Sequence, residues 1–223
     1  MDREKKIIES WTVNAANWID LIDKNGIESR RLVTNKSIIN AVLNSNPTSV
    51  LDIGCGEGWL AKELHEKGIE ITGIDIVPAL IENAKQKIQG NFIVASYEDL
   101  ASGKIYLPGL FNAIVINFAM IAKESVENLL VALPPYLAPK GKLFIQTLHP
   151  SSRKLIDDYI SGWKEGSWEG LGEQFTMPYQ WYFRTLEDWL KLLNQSGFHK
   201  TKVIEVMHPH SAKLLSVIFE CDI

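Results

Sequence analysis

The run Val50-Leu51-Asp52-Ile53-Gly54-Cys55-Gly56-Glu57-Gly58 decides the fold, because it passes from an apolar strand into a glycine-rich turn. Residues 49–53 have the length and composition of a buried strand, and Gly54 stops it. Glycines between a strand and a helix let a ligand approach backbone that side chains would otherwise screen. In open parallel sheets ligands sit at the carboxyl ends of the strands, where strand order reverses. A dinucleotide fingerprint requires G-x-G-x-x-G. Here Gly58 falls one position early and Trp59 fills the expected slot. The loop also opens on a carboxylate, Asp52, which suits a cationic group better than a pyrophosphate. Asp75, twenty-three residues on, ends the next strand and can accept from both hydroxyls of a ribose. Together these features describe a nucleoside ligand that carries an ammonium group and requires no phosphate.

Outward from this loop, strands and helices alternate. Residues 59–67 read as a helix with Leu60 and Leu64 on one face, ended by Gly68. A strand over 69–74, a helix over 78–88 led by Pro78, and a strand over 91–95 follow. Residues 111–117 make a fourth strand, 123–133 a helix, and Pro139-Lys140-Gly141 a turn into a fifth strand at 143–147. A helix over 186–196 precedes strands at 202–206 and 214–220, close enough to form a hairpin, which makes the last strand antiparallel. The alternation predicts an α/β fold with a parallel sheet, right-handed crossovers and helices on both faces. Two regions interrupt it. Residues 1–46 look helical, with Trp11, Trp18 and Ile22 followed by an Ile38-Ile39-Val42-Leu43 stripe, and 150–184 are rich in aromatics without a clear element. The chain therefore reads as a single domain: a helical cap (1–46), a cofactor-binding half (47–149), a lid insertion (150–184) and a C-terminal helix and strands (185–223).

Composition narrows the function. A domain of 223 residues buries roughly 70% of its unfolded surface and needs no metal or disulfide to hold its core. It is 46% hydrophobic and 22% charged, a soluble globular profile. No apolar run approaches the ~20 residues of a membrane span, and the charged first residues lead into no signal core. With 23 basic against 27 acidic residues and no basic stripe, the chain is not expected to bind nucleic acid. Two distant cysteines, Cys55 and Cys221, fit a reducing cytoplasm. His208-x-His210 with Glu205 is a weak metal pattern on a proline turn, and no metal is expected. The sequence sets no oligomeric state.

The Asp-x-Gly-x-Gly-x-Gly loop at 52–58, the spacing to Asp75, Leu137-Ala138-Pro139-Lys140-Gly141-Lys142-Leu143 and Ser196-Gly197-Phe198 resemble the class I S-adenosylmethionine-dependent methyltransferases. The resemblance runs from about Val50 to Glu220 and is closest to the small-molecule branch that includes ubiquinone and menaquinone biosynthesis enzymes. It implies a Rossmann-like sheet of seven strands, the last antiparallel, and S-adenosyl-L-methionine as cofactor. By position, Asp52 and the backbone of Gly54 and Gly56 hold the methionine part, Asp75 the ribose, and Ile76 packs on the adenine. The family's acidic residue for the adenine amine is matched by Ser96, with the backbone N–H of Tyr97 offered to the ring; a shifted register gives that role to Glu98 or Asp99. Phe111-Asn112 departs from the usual aspartate at the start of the fourth strand. The end of that strand, Asn117-Phe118-Ala119-Met120, sits beneath the reactive methyl group.

Methyl transfer from a sulfonium asks the protein chiefly for alignment and desolvation, and sometimes for a base. His149, in a His-Pro after the fifth strand as in small-molecule members, is the candidate base, set against a purely structural role. Tyr179, Tyr182 and Arg184 from the lid can orient an anionic or aromatic acceptor. Arg30 and Arg31 can reach the cofactor carboxylate, and Arg31 is preferred. Leu133-Pro134-Pro135-Tyr136 imitates an amine-methylating motif, but it follows a helix and Leu133 cannot accept a hydrogen bond, so it reads as a helix-ending turn. The expectation is a methyltransferase acting on the oxygen or carbon of a small-molecule acceptor. The rivals are an RNA or protein methyltransferase, a non-catalytic adenosyl-nucleotide binder, and an NAD-dependent reductase.

Overall fold

The computed structural model describes residues 3–153 and 159–223. Residues 1–2 of the expected cap and 154–158 of the expected lid insertion lie outside the described residues. The helix α1 (Arg3–Asp23) leads through a π-helical turn (Arg30–Thr34) into α2 (Asn35–Leu43). The alternation then begins: β1 (Ser49–Ile53), α3 (Trp59–His65), β2 (Glu70–Asp75), α4 (Pro78–Lys87), β3 (Asn91–Val94), α5 (Tyr97–Ala101), β4 (Phe111–Asn117), α6 (Glu124–Ala132) and β5 (Leu137–Leu148). The short strands β6 (Gly162–Lys164) and β7 (Trp181–Phe183) precede α7 (Leu186–Gln195), β8 (Lys200–Met207) and β9 (Leu214–Asp222).

Seven strands form the main sheet in the order β3-β2-β1-β4-β5-β9-β8. The pairs from β3 through β5 are parallel, and β9 runs antiparallel to both neighbours. This is the α/β, Rossmann-like architecture expected from the sequence. β1 is buried along nearly its whole length because helices cover both faces, which is why it reads as a continuous apolar run. Ile114, Ile116, Leu143 and Phe219 face one core with Val126, Leu129 and Trp189; Val50, Val115 and Phe144 face the other with Ile38, Leu60 and Ile81. Strand order reverses between β1 and β4, which places the Gly54–Gly58 turn at the switch point.

The structure adds elements that periodicity does not reveal. Residues 150–184, read as lacking a clear element, carry a 3-10 turn at Pro150–Arg153 and the antiparallel pair β6–β7. The Pro139-Lys140-Gly141 turn lies inside a longer β5, where the register with β4 shifts. There a Cβ on Gly141 would stand 2.8 Å from the carbonyl oxygens of Ala138 and Phe111, so only glycine fits. Pro134–Tyr136 form a 3-10 turn after α6, and the Tyr136 hydroxyl donates to the Leu100 carbonyl.

Asn112 explains a departure from the family pattern. Its Oδ1 accepts from the backbone N–H and hydroxyl groups of both Thr48 and Ser49, at 2.7–3.2 Å. The start of β4 is thereby tied to the start of β1. Asn112→Ala is expected to cost about 1–3 kcal/mol in urea unfolding, and Asn112→Asp, which keeps the acceptor oxygen, to recover most of it.

Candidate active site

The glycine turn exposes an acidic floor. Asp52, at the tip of β1, is 1% exposed, and neither carboxylate oxygen has a hydrogen-bond partner in the protein. Burial, then the nearby charges of Glu57 and Asp75, pushes its carboxyl up to about 8. Asp75, at the tip of β2, accepts from the N–H of Gly56 and of Val77 at 2.9 Å each. Burial raises it to about 6 in spite of those two bonds. Each Asp75 oxygen keeps a lone pair after its N–H bond, so further donors can be accepted. Glu57 is 1% exposed, with one oxygen bonded to Trp18 Nε1 at 2.9 Å and the other 3.9 Å from Lys87 Nζ.

The backbone of the turn faces inward. The N–H groups of Gly54 and Cys55 donate to the Ile74 carbonyl, and that of Gly56 to Asp75. A pyrophosphate loop must offer those N–H groups to its ligand; this turn has already committed them within the protein. Gly54 is required sterically, with φ 69° and a hypothetical Cβ only 2.5 Å from the Ala119 methyl. The Tyr97 hydroxyl also lies against Gly54 and donates to the Ala119 carbonyl at 2.9 Å, so β4's tip, α5 and the turn meet at one point.

The arginine facing this turn is Arg30. Its guanidinium carbon lies 4.7 Å from the Trp59 ring centroid and 5.6 Å from that of Trp18. Burial lowers it to about 10, opposed by the Glu57 charge, and Nη2 is buried without an acceptor. Arg31 is exposed and joins Arg30, Trp59, Lys62 and Lys87 in lining a cavity of about 250 Å³.

α1 roofs the site. Glu4 Oε1 accepts from the N–H groups of Lys123 and Glu124, capping the start of α6, whose own N-cap lacks a side-chain bond. Asn14 exchanges two bonds with the backbone of Thr176, Trp11 donates to the Tyr179 hydroxyl, and Trp168 donates to Ser10. Trp11, Trp18, Trp168, Phe175 and Tyr179 form one ring cluster with centroids 4.8–5.5 Å apart. Ile76 and Trp18 both pack against the small cluster of Ala15, Val77 and Leu80 beside it.

The remaining sequence candidates fall in several places. Ser96 caps α5: its hydroxyl accepts from the Asp99 N–H and donates to the Asp99 carboxylate, which also accepts the Ser96 N–H. Asp99 is thus held in its own helix cap. Asn117 and Phe118 stand at the tip of β4, Asn117 Oδ1 buried without a donor and Phe118 at φ 55°. Tyr179 is buried in the ring cluster, and Tyr182 lies against Trp163 and Arg184. Arg184 is 4% exposed and donates to the carbonyls of Ala122 and Lys123 and to Glu127. That guanidinium fastens β7 to the start of α6. His149 is buried on the far side of β5 from the glycine turn; its Nδ1 accepts from Ser151, and its Nε2 lies 3.4 Å from Glu205 on β8. His208 Nδ1 accepts from the N–H groups of His210 and Ser211, which ties the proline turn. The sequence pattern gives Trp18, Glu57 and Trp59 no role at the site, although Glu57 and Trp59 flank Gly58. No helix among the described residues is long and apolar enough to cross a membrane.

Comparison with known proteins gives the site its setting. A family model described as a methyltransferase domain matches residues 27–203. The ubiquinone biosynthesis O-methyltransferase of Rickettsia felis is 25% identical over 176 residues, covering 72% of this chain and 70% of that protein. The namesake from Xanthomonas oryzae pv. oryzae is 31% identical over 116 residues, and there the match spans about half of each protein (50% and 47%). Among solved structures, a DhpI–SAM–HEP complex superposes with a TM-score of 0.71 at 13% identity, covering 99% of this chain and 98% of that one. That likeness is one of fold.

Two outcomes follow from this geometry. A carboxyl raised on folding favours the protonated native state. Its stabilising contribution is therefore complete below about pH 4 and lost as pH rises through about 8. The ligand-free protein should lose stability over that window, and Asp52→Asn should flatten the slope and gain on the order of 1–2 kcal/mol at pH 8. Arg184→Ala should lower the urea midpoint, at a cost of about 2–3 kcal/mol, because it strands two carbonyls and Glu127.

Proposed function

This chain belongs to the methyltransferase domain family, and we propose that it uses S-adenosylmethionine, held by the Asp52–Glu57–Asp75 cluster and Arg30 for transfer of its methyl group to an oxygen or carbon of a small molecule. The observation that carries this reading is the Asp52 carboxylate, buried with both oxygens lacking donors. A buried carboxylate calls for a cationic donor, and the ammonium of the cofactor's methionine end is one. Asp52 and the carbonyls of Gly54 and Gly56 receive that ammonium, the turn's N–H groups being engaged within the protein. Arg30 meets the carboxylate, replacing the sequence preference for Arg31, which lies exposed. Asp75 takes the ribose hydroxyls, and Ile76 lies along the adenine. Ser96 retains one hydroxyl lone pair for the adenine amine, beside the Tyr97 N–H.

When bound, S-adenosylmethionine supplies an electrophilic methyl group on a leaving group already activated by its charge. The protein's part is alignment and exclusion of water. Asn117 and Phe118 bear on the reacting end. α1 and the Trp168–Tyr179 cluster screen it from solvent, with Tyr179 and Tyr182 in the wall around the acceptor. Arg184 acts through the position of β7, and its bonds to backbone support that role over direct contact with an anion. His149 serves as base only for an acceptor that reaches past β5; its contacts with Ser151 and Glu205 equally suit a structural role. The acidic balance of the chain and its two buried free cysteines support a cytoplasmic enzyme acting on small molecules rather than on nucleic acid.

Calorimetric titration with S-adenosylmethionine, S-adenosylhomocysteine and NAD tests the assignment. Micromolar binding of both adenosyl ligands, lost in Asp75→Ala and weakened at least tenfold in Arg30→Ala, is the expected result; binding of NAD alone would overturn it. Cation binding requires ionised Asp52 and Asp75, so affinity should rise between about pH 6 and pH 8. Protons should be released at neutral pH, seen as a binding enthalpy that varies with buffer ionisation heat.

A further inference from the structure

Beyond the acidic floor, a second set of buried polar groups meets at the tips of β4 and β5. Asn117 and Gln146 are paired residues on these adjacent parallel strands, so their side chains share a face. Gln146 is fully buried. Its Nε2 donates to the Thr34 carbonyl at 3.2 Å and to Ser216 Oγ at 2.9 Å. Those two acceptors fix the amide's orientation and turn Oε1 the other way. Gln146 Oε1, Asn117 Oδ1 and Thr34 Oγ1 are all buried, and none has a hydrogen-bond partner in the protein. Buried polar atoms are normally satisfied, so unpaired oxygens on a pair of registered strand residues and on the threonine that Gln146 touches call for an external partner.

The backbone around them is unusual as well. Thr34 closes the five-residue π-turn that begins with Arg30, and Phe118, next to Asn117, is a non-glycine residue at φ 55°. Both conformations are costly and recur where a binding site over-determines the chain. Arg30 looks from one end of the π-turn to Trp59, and Thr34 at the other end lies against Gln146. Val115 pairs with Asp52, which puts Asn117 two residues, about 7 Å, beyond the level of the acidic floor on the neighbouring strand.

We propose that Thr34, Asn117 and Gln146 select the methyl acceptor, and that this acceptor presents at least two N–H or O–H donors to them. The assignment rests on the methyltransferase reading and adds the chemistry of its second substrate. Asn117 Oδ1 and Gln146 Oε1 are neutral atoms that only accept, and the Thr34 hydroxyl can accept or donate, so the recognised face must carry donors for the two amide oxygens. A site built to hydrogen-bond a donor discriminates strongly against an analogue lacking it, because its buried acceptors then stay unpaired.

Thr34→Val is the decisive variant. It removes a hydroxyl without a protein partner and keeps the shape, so thermal stability and the affinity for S-adenosylhomocysteine should not fall. The probes are a matched pair, 1,2-dihydroxybenzene with two O–H donors and 2-methoxyphenol with one. Each is followed by methyl transfer and by calorimetric binding to the enzyme–S-adenosylhomocysteine complex. The wild type should favour the two-donor member by at least tenfold in kcat/KM or in affinity. Thr34→Val should cut that preference several-fold, and Gln146→Met should abolish it. Equal treatment of both members, an unchanged preference in Thr34→Val, or no turnover and no binding of the two-donor member would overturn the proposal. So would a loss of stability in Thr34→Val, which would give the hydroxyl a structural role. A protein that fails to bind S-adenosylhomocysteine at all fails the methyltransferase reading instead.

Discussion

A carboxylate buried without a donor is the constraint around which this protein is arranged. Asp52 sits at the reversal of strand order, near two further acids, where burial and those acids keep its carboxyl protonated up to about pH 8 and oppose its ionised form. Folding alone does not favour such an arrangement, since burial of an unpaired charge opposes it. The sheet tolerates it because β1 is held on both sides by parallel partners and by both cores. The surrounding features follow from that choice. The turn's N–H groups are committed to Ile74 and Asp75, the glycines let Ala119 and Tyr97 approach, and Trp18 ties the roof helix to Glu57.

The roof is fastened by polar bonds of high specificity around an aromatic centre. Each aromatic pair adds about 0.5–1.5 kcal/mol beyond its buried area, but rings alone do not fix an angle. The Asn14–Thr176 pair, the Trp168–Ser10 bond and the Glu4 cap on α6 supply direction, each joining segments more than a hundred residues apart. The roof and the segment before α7 therefore form one closure, and displacing either exposes rings that the other covers.

How much of this was legible depends on the range of the interaction. The strand–glycine–helix run, the alternation and the antiparallel end are local patterns, and they led to the sheet and to Asp52 and Asp75. What local patterns do not convey is geometry set from afar. The π-turn over Arg30–Thr34, with its i→i+5 bonding, leaves no mark in the periodicity, and within it Arg30 rather than Arg31 lies over Trp59. Ser96-x-x-Asp99 carries the pattern of a capping box, and the structure forms that box, which engages Ser96 and Asp99 with each other and leaves Glu98 and the Tyr97 N–H outside it. Arg184 reads as a free cation in a lid, whereas its partners are backbone carbonyls that no sequence pattern announces. Asn112 departs from the family at one position and is explained by Thr48 and Ser49, sixty-odd residues earlier.

The charge pattern across the strand tips separates two ligands that must meet without exchanging places. The tips of β1 and β2 end in acids, while those of β4 and β5 end in amides, Asn117 and Gln146. An acid at either amide would compete with Asp52 for the same cationic group, and in a buried setting that competition would not be screened as it is in water. Neutral acceptors avoid it. They bind donors through hydrogen bonds that are short-ranged and directional, and they leave the long-range field to the acids on the other strands. The cation is thus drawn to one side of the switch point by charge, and its partner is held on the other side by geometry.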